Sequence, residues 1–318
     1  MRPRRTRHLL DPELYSFADD PDTVLDATTL ATRRADMEAR APSADYARLA
    51  VARREVRLPV DGGPDLRCLL YTPRARTGPT AGYLSIHGGG YVMGSPEASD
   101  LLSALTAAKL GIVVLAPAYR LAPEHPIPAP LDDCYAGLAW LHAHAGELDV
   151  DPRRIGIGGE SAGGGLAAAL AILARDRGEY AVCHQHLTYP MLDDRTGTPG
   201  HEGDPLVGEF GWNRDKNRFG WESYLGGAPA AAPQVPARLE KLEGLPPTWM
   251  FTAALDLFRE ENIAYARRLL AAGVPTDLVV YAGACHGFNA VPGTAIGKRW
   301  RADHLAALAK GLRVDAGA

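Results

Sequence analysis

The chain has 318 residues, a formal charge of −4 and 23% charged residues, a balance that excludes a disordered or coiled-coil protein. With 34 Lys and Arg against 38 Asp and Glu there is no basic excess to seek phosphate backbones, so nucleic acid is not an expected partner. The departure from average lies in 34 glycines and 25 prolines, close to one residue in five, which predicts many tight turns between buried elements.

In chain order, the N-terminus carries Arg2, Arg4, Arg5 and Arg7, but only Leu9 and Leu10 follow before Asp11-Pro12. That leaves no apolar core for a signal peptide, and the arginines read as a solvated basic tip. Residues 1–50 are polar and rich in Ala, Arg and Asp, with stretches such as Thr23–Ala41 suited to helices. From about Arg54 short β-type runs (Glu55–Pro59, Leu66–Tyr71, Gly82–Ile86, Gly111–Pro117, Arg154–Gly158) alternate with helical segments Asp100–Lys109, Pro130–Ala145 and Ala162–Arg175. This alternation predicts a mostly parallel central sheet flanked by helices on both faces. The pattern pauses after a run at Leu187–Leu192. Residues 193–235 are rich in Gly, Asp, Pro and Ala and hold the aromatics Phe210, Trp212, Phe219, Trp221 and Tyr224. It resumes with strand Thr248–Ala254, a helix around Glu260–Ala272, strand Asp277–Tyr281 and a last helix near Trp300–Leu312.

The expected organisation is therefore one α/β domain in two parts, 51–192 and 236–318. Segments 1–50 and 193–235 are additions placed to form a helical cap over the sheet's C-terminal edge, where open α/β folds bind ligands. No stretch approaches 18 uncharged apolar residues, so no membrane span is expected. Cys68, Cys134, Cys183 and Cys285 are widely spaced, which argues against a disulfide framework or zinc knuckle and points to a reduced, cytoplasmic protein.

The strongest local signal is Gly159-Glu160-Ser161-Ala162-Gly163, between the apolar strand Ile155-Gly156-Ile157 and an apolar helix. This is G-x-S-x-G in strand–turn–helix context, where a strained turn crowds the backbone two residues either side of the serine and admits only small residues. Ser161 at a helix start also lies beside amides and a dipole that favour an anion. The plainer reading is a Gly-rich turn with a Ser N-cap. The second signal is His87-Gly88-Gly89-Gly90 after strand Gly82–Ile86, whose unshielded N–H groups can point at one oxygen, as an oxyanion hole requires. A flexible turn would explain the glycines but not the preceding His.

A serine nucleophile needs a base, and the base an orienting carboxylate. His286, in Cys285-His286-Gly287-Phe288 just past a strand, is the expected base; His304, mid-helix, suits packing or solvent instead. Asp256 follows strand Thr248–Ala254 directly and is the expected acid, with an N-cap role also open to it; Glu260 and Glu261 are weaker candidates. The pairs His142/His144 and His184/His186 are expected to be structural or solvated, because H-E-x-x-H is absent and no acidic ligand follows, so no metal is assigned. Gly156-Ile157-Gly158-Gly159 resembles a dinucleotide fingerprint only superficially, and no cofactor is expected.

With these residues in place, the chain resembles the hormone-sensitive lipase family of α/β-hydrolases, in its H-G-G-G bacterial esterase branch. Pro117-Ala118-Tyr119-Arg120-Leu121-Ala122-Pro123-Glu124, Asp132-Asp133, Gly163-Gly164 and His286-Gly287-Phe288 carry the resemblance over roughly residues 50–315. It implies an α/β-hydrolase fold with a helical cap and hydrolysis of short- to medium-chain carboxylic esters. Ser161 would be nucleophile, Asp256 acid and His286 base. The N–H groups of Gly88, Gly89 and Ala162 would form the oxyanion hole, with His87, Gly90, Gly159, Glu160 and Gly163 in support. Tyr91, Phe210, Trp212 and Phe288 are candidate substrate contacts. The family often reads Asp-Pro-Leu-x-Asp-Glu around the acid, whereas this chain reads Asp256-Leu257-Phe258-Arg259-Glu260-Glu261; the Asp is kept. Family dimers that pair edge strands make a homodimer a further expectation. A receptor that binds a ligand without catalysis and a metal-dependent hydrolase are the competing readings.

Overall fold

The computed structural model describes residues 5–19, 23–60, 63–76 and 78–314; Arg2 and Arg4 of the basic tip lie outside them. Eight strands form one sheet: β1 (Val51–Leu58), β2 (Leu66–Pro73), β3 (Thr80–Ile86), β4 (Val113–Pro117), β5 (Val150–Glu160), β6 (His184–Thr188), β7 (Thr248–Ala253) and β8 (Thr276–Tyr281). Their order is β1-β2-β4-β3-β5-β6-β7-β8. The first hairpin, β1 with β2, and the β2–β4 pair are antiparallel, while every pair from β4 to β8 is parallel.

Helices α3 (Asp100–Leu110) and α8 (Ala295–Leu312) pack together on one face, and α4 (Ala129–Ala143), α5 (Ala162–Arg177) and α7 (Arg259–Ala271) cover the other. The central helix α5 has twelve buried residues, almost all Ala, Gly or Leu. Small side chains let it lie close against the sheet, so the serine at its start is set by backbone packing. Glycines in β5 have the same cause: a Cβ on Gly158 would lie 2.8 Å from the His186 Cβ, and one on Gly156 would lie 2.6 Å from Leu312. Ahead of the sheet come short α1 (Tyr15–Ala18) and α2 (Leu30–Ala39); α6 (Arg214–Leu225) lies within 193–235. These two segments touch, since the Thr6 N–H and hydroxyl both donate to Glu209 Oε2, at 2.8 and 2.6 Å.

The expected strand–helix alternation is present, with one correction. Of the run at Leu187–Leu192 only Leu187 and Thr188 are strand, because β6 ends at Thr188. Tyr189 turns to φ 33°, and Met191 N–H donates to Ser161 O at 3.0 Å, so the apolar residues 189–192 pack under the serine turn as a loop. All four cysteines are free.

Buried polar groups tie the layers together. Asp133 on α4 is fully buried and takes the Arg120 guanidinium and the Arg120 N–H, the latter at 2.7 Å. Removing one member of such a pair strands the other, so Asp133→Ala should cost about 3–5 kcal/mol, read as a lower denaturation midpoint; a change within error would show that the pair is dispensable.

His184, His186 and His304 form a buried chain, with Nε2 of His186 hydrogen-bonded to Nδ1 of His304 at 2.9 Å and His186 stacked on Trp249. The rings bond to one another rather than converging on a point, and no metal-binding group of three occurs among the described residues. The other pair is structural too: His144 bonds to Trp140 O and His142 to Ala181 O, both at 3.0 Å. Burial pushes His184 down to about 4 and His304 to about 3. The unfolded chain therefore takes up protons first, from pH ~6.5 downward, and stability should fall between that pH and about 4. Thermal melts across this range should slope less steeply in His304→Gln than in the wild type; parallel slopes would remove His304 from the cause.

Candidate active site

β5 runs into α5 through Ser161, held at φ 57° and ψ −119°, a backbone that a residue with a Cβ rarely adopts. The turn closes because Gly159 and Gly163 leave room. A Cβ on Gly163 would run into the carbonyl oxygens of Ile86 and His87, and one on Gly159 would meet Ile86 O and the Gly163 backbone. The Ser161 N–H donates to Thr188 O at 2.9 Å, fixing the turn against β6.

Asp256 lies in the turn after β7 and His286 in the loop after β8, so both cross the same sheet edge as Ser161. The three side chains join in one line. His286 Nε2 is 3.0 Å from Ser161 Oγ, and His286 Nδ1 is 2.8 Å from Asp256 Oδ2. Asp256 is fully buried, while Ser161 and His286 keep 6% and 9% exposure, so the charge is shielded and the reacting atoms remain reachable. Its other oxygen, Oδ1, accepts from the Phe258 N–H at 2.9 Å. The N-cap of α7 is Phe258, so Asp256 makes a tight turn ahead of the helix instead of capping it. Leu257, in the place of the family's Pro, is buried, and Phe258 packs edge-on to the His286 ring at 5.3 Å.

The glycine loop after β3 approaches the same serine. A Cβ on Gly88 would sit 2.9 Å from Glu160 O and 3.4 Å from the Ser161 Cβ; Gly89 and Gly90 have φ +127° and +62°. Among the described residues the Gly88 and Gly89 amides have no hydrogen-bond acceptor, and Ala162 is the first residue of α5. Gly88 and Ala162 thus lie beside Ser161, with Gly89 next in the same loop. Buried His87 holds the loop from beneath, with Nδ1 2.9 Å from Gly88 O and its ring stacked on Tyr119 at 4.2 Å. Burial pushes His87 down to about 4, which keeps it neutral. Chemically, a neutral His286 can take the Ser161 proton at Nε2 while Asp256 holds Nδ1–H, and amides are in place for a developing oxyanion.

Of the four candidate contact residues, three are committed elsewhere. Tyr91 is fully buried, stacks on Tyr224 at 4.1 Å and donates to Met191 O. Phe210 and Phe288 belong to a buried aromatic cluster with Phe251 and Trp300. Their rings fill the core. Trp212 stays close, its ring 6.3 Å from His286 and its Nε1–H on Asn217 at 3.1 Å. Trp221 and Tyr224 pack against Tyr91, so the aromatic cluster of 193–235 is chiefly core.

Other supporting residues carry no motif signal. Asn289 Nδ2 donates to Glu160 Oε1 at 2.7 Å, and Tyr189 OH donates to Asn289 Oδ1 at 2.5 Å, linking the serine turn to the His286 loop. Tyr189 also packs 4.5 Å from the His286 ring. Glu261 takes the Leu192 N–H at 2.7 Å and the Thr196 hydroxyl, supporting the chain after β6; burial raises its carboxyl well above the usual range. Arg34 on α2 donates to Val92 O and Ala122 O, at 2.8 and 3.0 Å.

A sequence profile of the α/β hydrolase fold matches residues 83–290. The chain belongs to this family. Within it, the expectation of the hormone-sensitive lipase branch holds. Its relatives include the carboxylic ester hydrolase LipN of Mycobacterium tuberculosis, 38% identical over 214 residues. That match takes up 64% of this chain and 55% of LipN, so the chain spans about half of LipN's length. The carboxylesterase NlhH of the same organism is 33% identical over 242 residues, 72% of each chain. Among solved structures, a bacterial heroin esterase superposes with a TM-score of 0.88 at 39% identity, covering 97% of this α/β-hydrolase and 99% of the other.

The close approach at the elbow yields a test. Gly163→Ala must displace Ile86 and His87, and a shift of about 1 Å at a reacting centre costs ~100-fold in rate. Turnover of a nitrophenyl ester should fall by that order, whereas Gly146→Ala, which meets nothing within 4 Å, should leave it unchanged; equal rates in the two variants would deny the elbow its geometric role.

Proposed function

We propose that this α/β-hydrolase is a serine carboxylesterase acting on short- to medium-chain esters through an acyl-enzyme. The observation that carries the reading is the unbroken hydrogen-bonded line Ser161–His286–Asp256, with Gly88 of the glycine loop and Ala162 at the start of α5 beside its serine end. His286 removes the Ser161 proton as Oγ attacks the ester carbonyl, and the three amides hold the oxyanion. His286 then protonates the departing alcohol, leaving the acyl group on Oγ. Water, deprotonated by the same nitrogen, releases the acid and restores Ser161–OH. Asp256 keeps the ring oriented and stabilises its cationic form throughout.

Segments 1–50 and 193–235 serve as the cap in this reading, supported by their contact through Thr6 and Glu209. β8 ends the sheet with an open edge that leaves Val280 exposed, and two copies would pair there as a homodimer. A cytoplasmic location fits the four free cysteines, and among the described residues no helix is long and apolar enough to cross a membrane.

Hydrolysis of p-nitrophenyl acetate and butyrate by the wild type, with loss of about 10⁴-fold or more in Ser161→Ala, is the expected result. His286→Ala should abolish neutral-pH activity rather than move its optimum. A Ser161→Ala variant retaining most of the rate would overturn the mechanism, and inhibition by EDTA would favour a metal-dependent hydrolase.

A further inference from the structure

A cleft of about 650 Å³, within the ~300–1,000 Å³ usual for ligand sites, lies between α2, the first half of α3 and the start of the 300–312 stretch of α8. Its inner end is walled by Glu160, Asn289 and Met93, so it begins directly beside the serine turn. Ser161 does not line it. Glu160 precedes Ser161 in the chain and Asn289 lies three residues past His286, so the part of an ester that would reach this space is an arm distal to the carbonyl. Met37, Leu102 and Leu105 make the walls apolar, while Arg33, Arg40 and Arg301 also line the cleft.

The charges in this cleft are unequal in their commitments. Arg33 is paired with Asp36 at 3.3 Å, although its buried Nε has no hydrogen-bond partner. The side chains of Arg40 and Arg301 are exposed and, among the described residues, have neither an ion-pair nor a hydrogen-bond partner. Arg40 sits at the C-cap of α2, where a cation is favoured by the helix dipole, but that explanation does not extend to Arg301 in the second turn of α8. At the inner end, Glu160 is held by Asn289, and burial raises its carboxyl above the usual range. Three arginines against the two carboxylates Asp36 and Glu160 leave the cleft with a local cationic excess in a chain of net charge −4.

We propose that this cleft is a substrate subsite selecting esters that carry a second, ionised carboxylate, its apolar walls taking the linking carbons and Arg40 and Arg301 the carboxylate. The inference rests on the esterase reading above and specifies its substrate class. The free carboxylate can belong to the acyl part, as in a monoester of a dicarboxylic acid, or to the alcohol part, as in an ester of a hydroxy acid. Both present the same group to the arginines.

The experiment compares kcat/KM within matched pairs. Mono-p-nitrophenyl glutarate is set against p-nitrophenyl butyrate for an acyl-side carboxylate, and 4-acetoxybenzoate against its methyl ester for an alcohol-side one. In at least one pair the wild type should favour the anion, and raising the ionic strength should shrink the preference through screening. In Arg40→Gln/Arg301→Gln the anionic-to-neutral ratio should drop by about fivefold or more, the weight of two partly exposed charge pairs. The pair that responds identifies the side of the ester that occupies the cleft. No wild-type preference in either pair, or a ratio unmoved by both salt and the double substitution, would overturn the subsite while leaving ester hydrolysis intact. Failure to hydrolyse any of the four esters would overturn the esterase reading itself, and the subsite with it.

Discussion

The backbone of Ser161 is held at φ 57° between a strand that ends in glycine-rich chain and a helix that begins in it, and the arrangement of the site follows from that turn. A nucleophile so placed projects from the sheet edge, but the chain can turn so sharply only if Gly159 and Gly163 lie against the carbonyls of β3 and its following loop. The same contact brings Gly88 to the serine. Ser161 and the glycine loop are thus positioned by a single close packing of main chain on main chain. The small residues of α5 extend that packing inward, at the expense of side-chain bulk in the core's central helix.

Around this turn, charge is distributed by burial. Asp256 is shut away from water and has His286 and a backbone amide as partners, so its negative charge is directed at one ring nitrogen. His87 and the chain of His184, His186 and His304 are buried without carboxylates and stay neutral. One histidine is therefore equipped to carry a proton while the others serve as flat, polar packing units. Burial alone does not distinguish them; the acidic partner does.

Much of the site was legible because its chemistry demands rare local patterns. Three glycines after a histidine, a serine between glycines, and a histidine just past the last strand each answer a steric or positional need that the chain order preserves. Strand–helix alternation likewise followed from hydrophobic spacing; it missed α6 and the starts of β1 and β5, and at 189–192 an apolar loop packs as tightly as a strand would. Asn289, Tyr189 and Glu261 were not legible as supports. Their roles arise from contacts between residues far apart in sequence, and nothing in an isolated Asn or Glu marks it. The aromatics Tyr91, Phe210 and Phe288 show the converse: an aromatic ring near a motif is as useful for filling the core as for meeting substrate, and in the folded chain these three fill it.

Arg34 gives the segment ahead of the sheet a structural hold on the loop that follows the glycines. Through Val92 O and Ala122 O, and a salt bridge to Glu124, α2 clamps two stretches that belong to the body of the fold. The helix that walls the cleft and the loop that carries the glycines thus form one mechanical unit. In a chimera between relatives, exchanging the leading segment alone would replace that wall and unfasten the glycine loop together. A graft intended to change the cleft while preserving that loop must carry α2, the 88–94 loop and the 120–124 stretch as a single module.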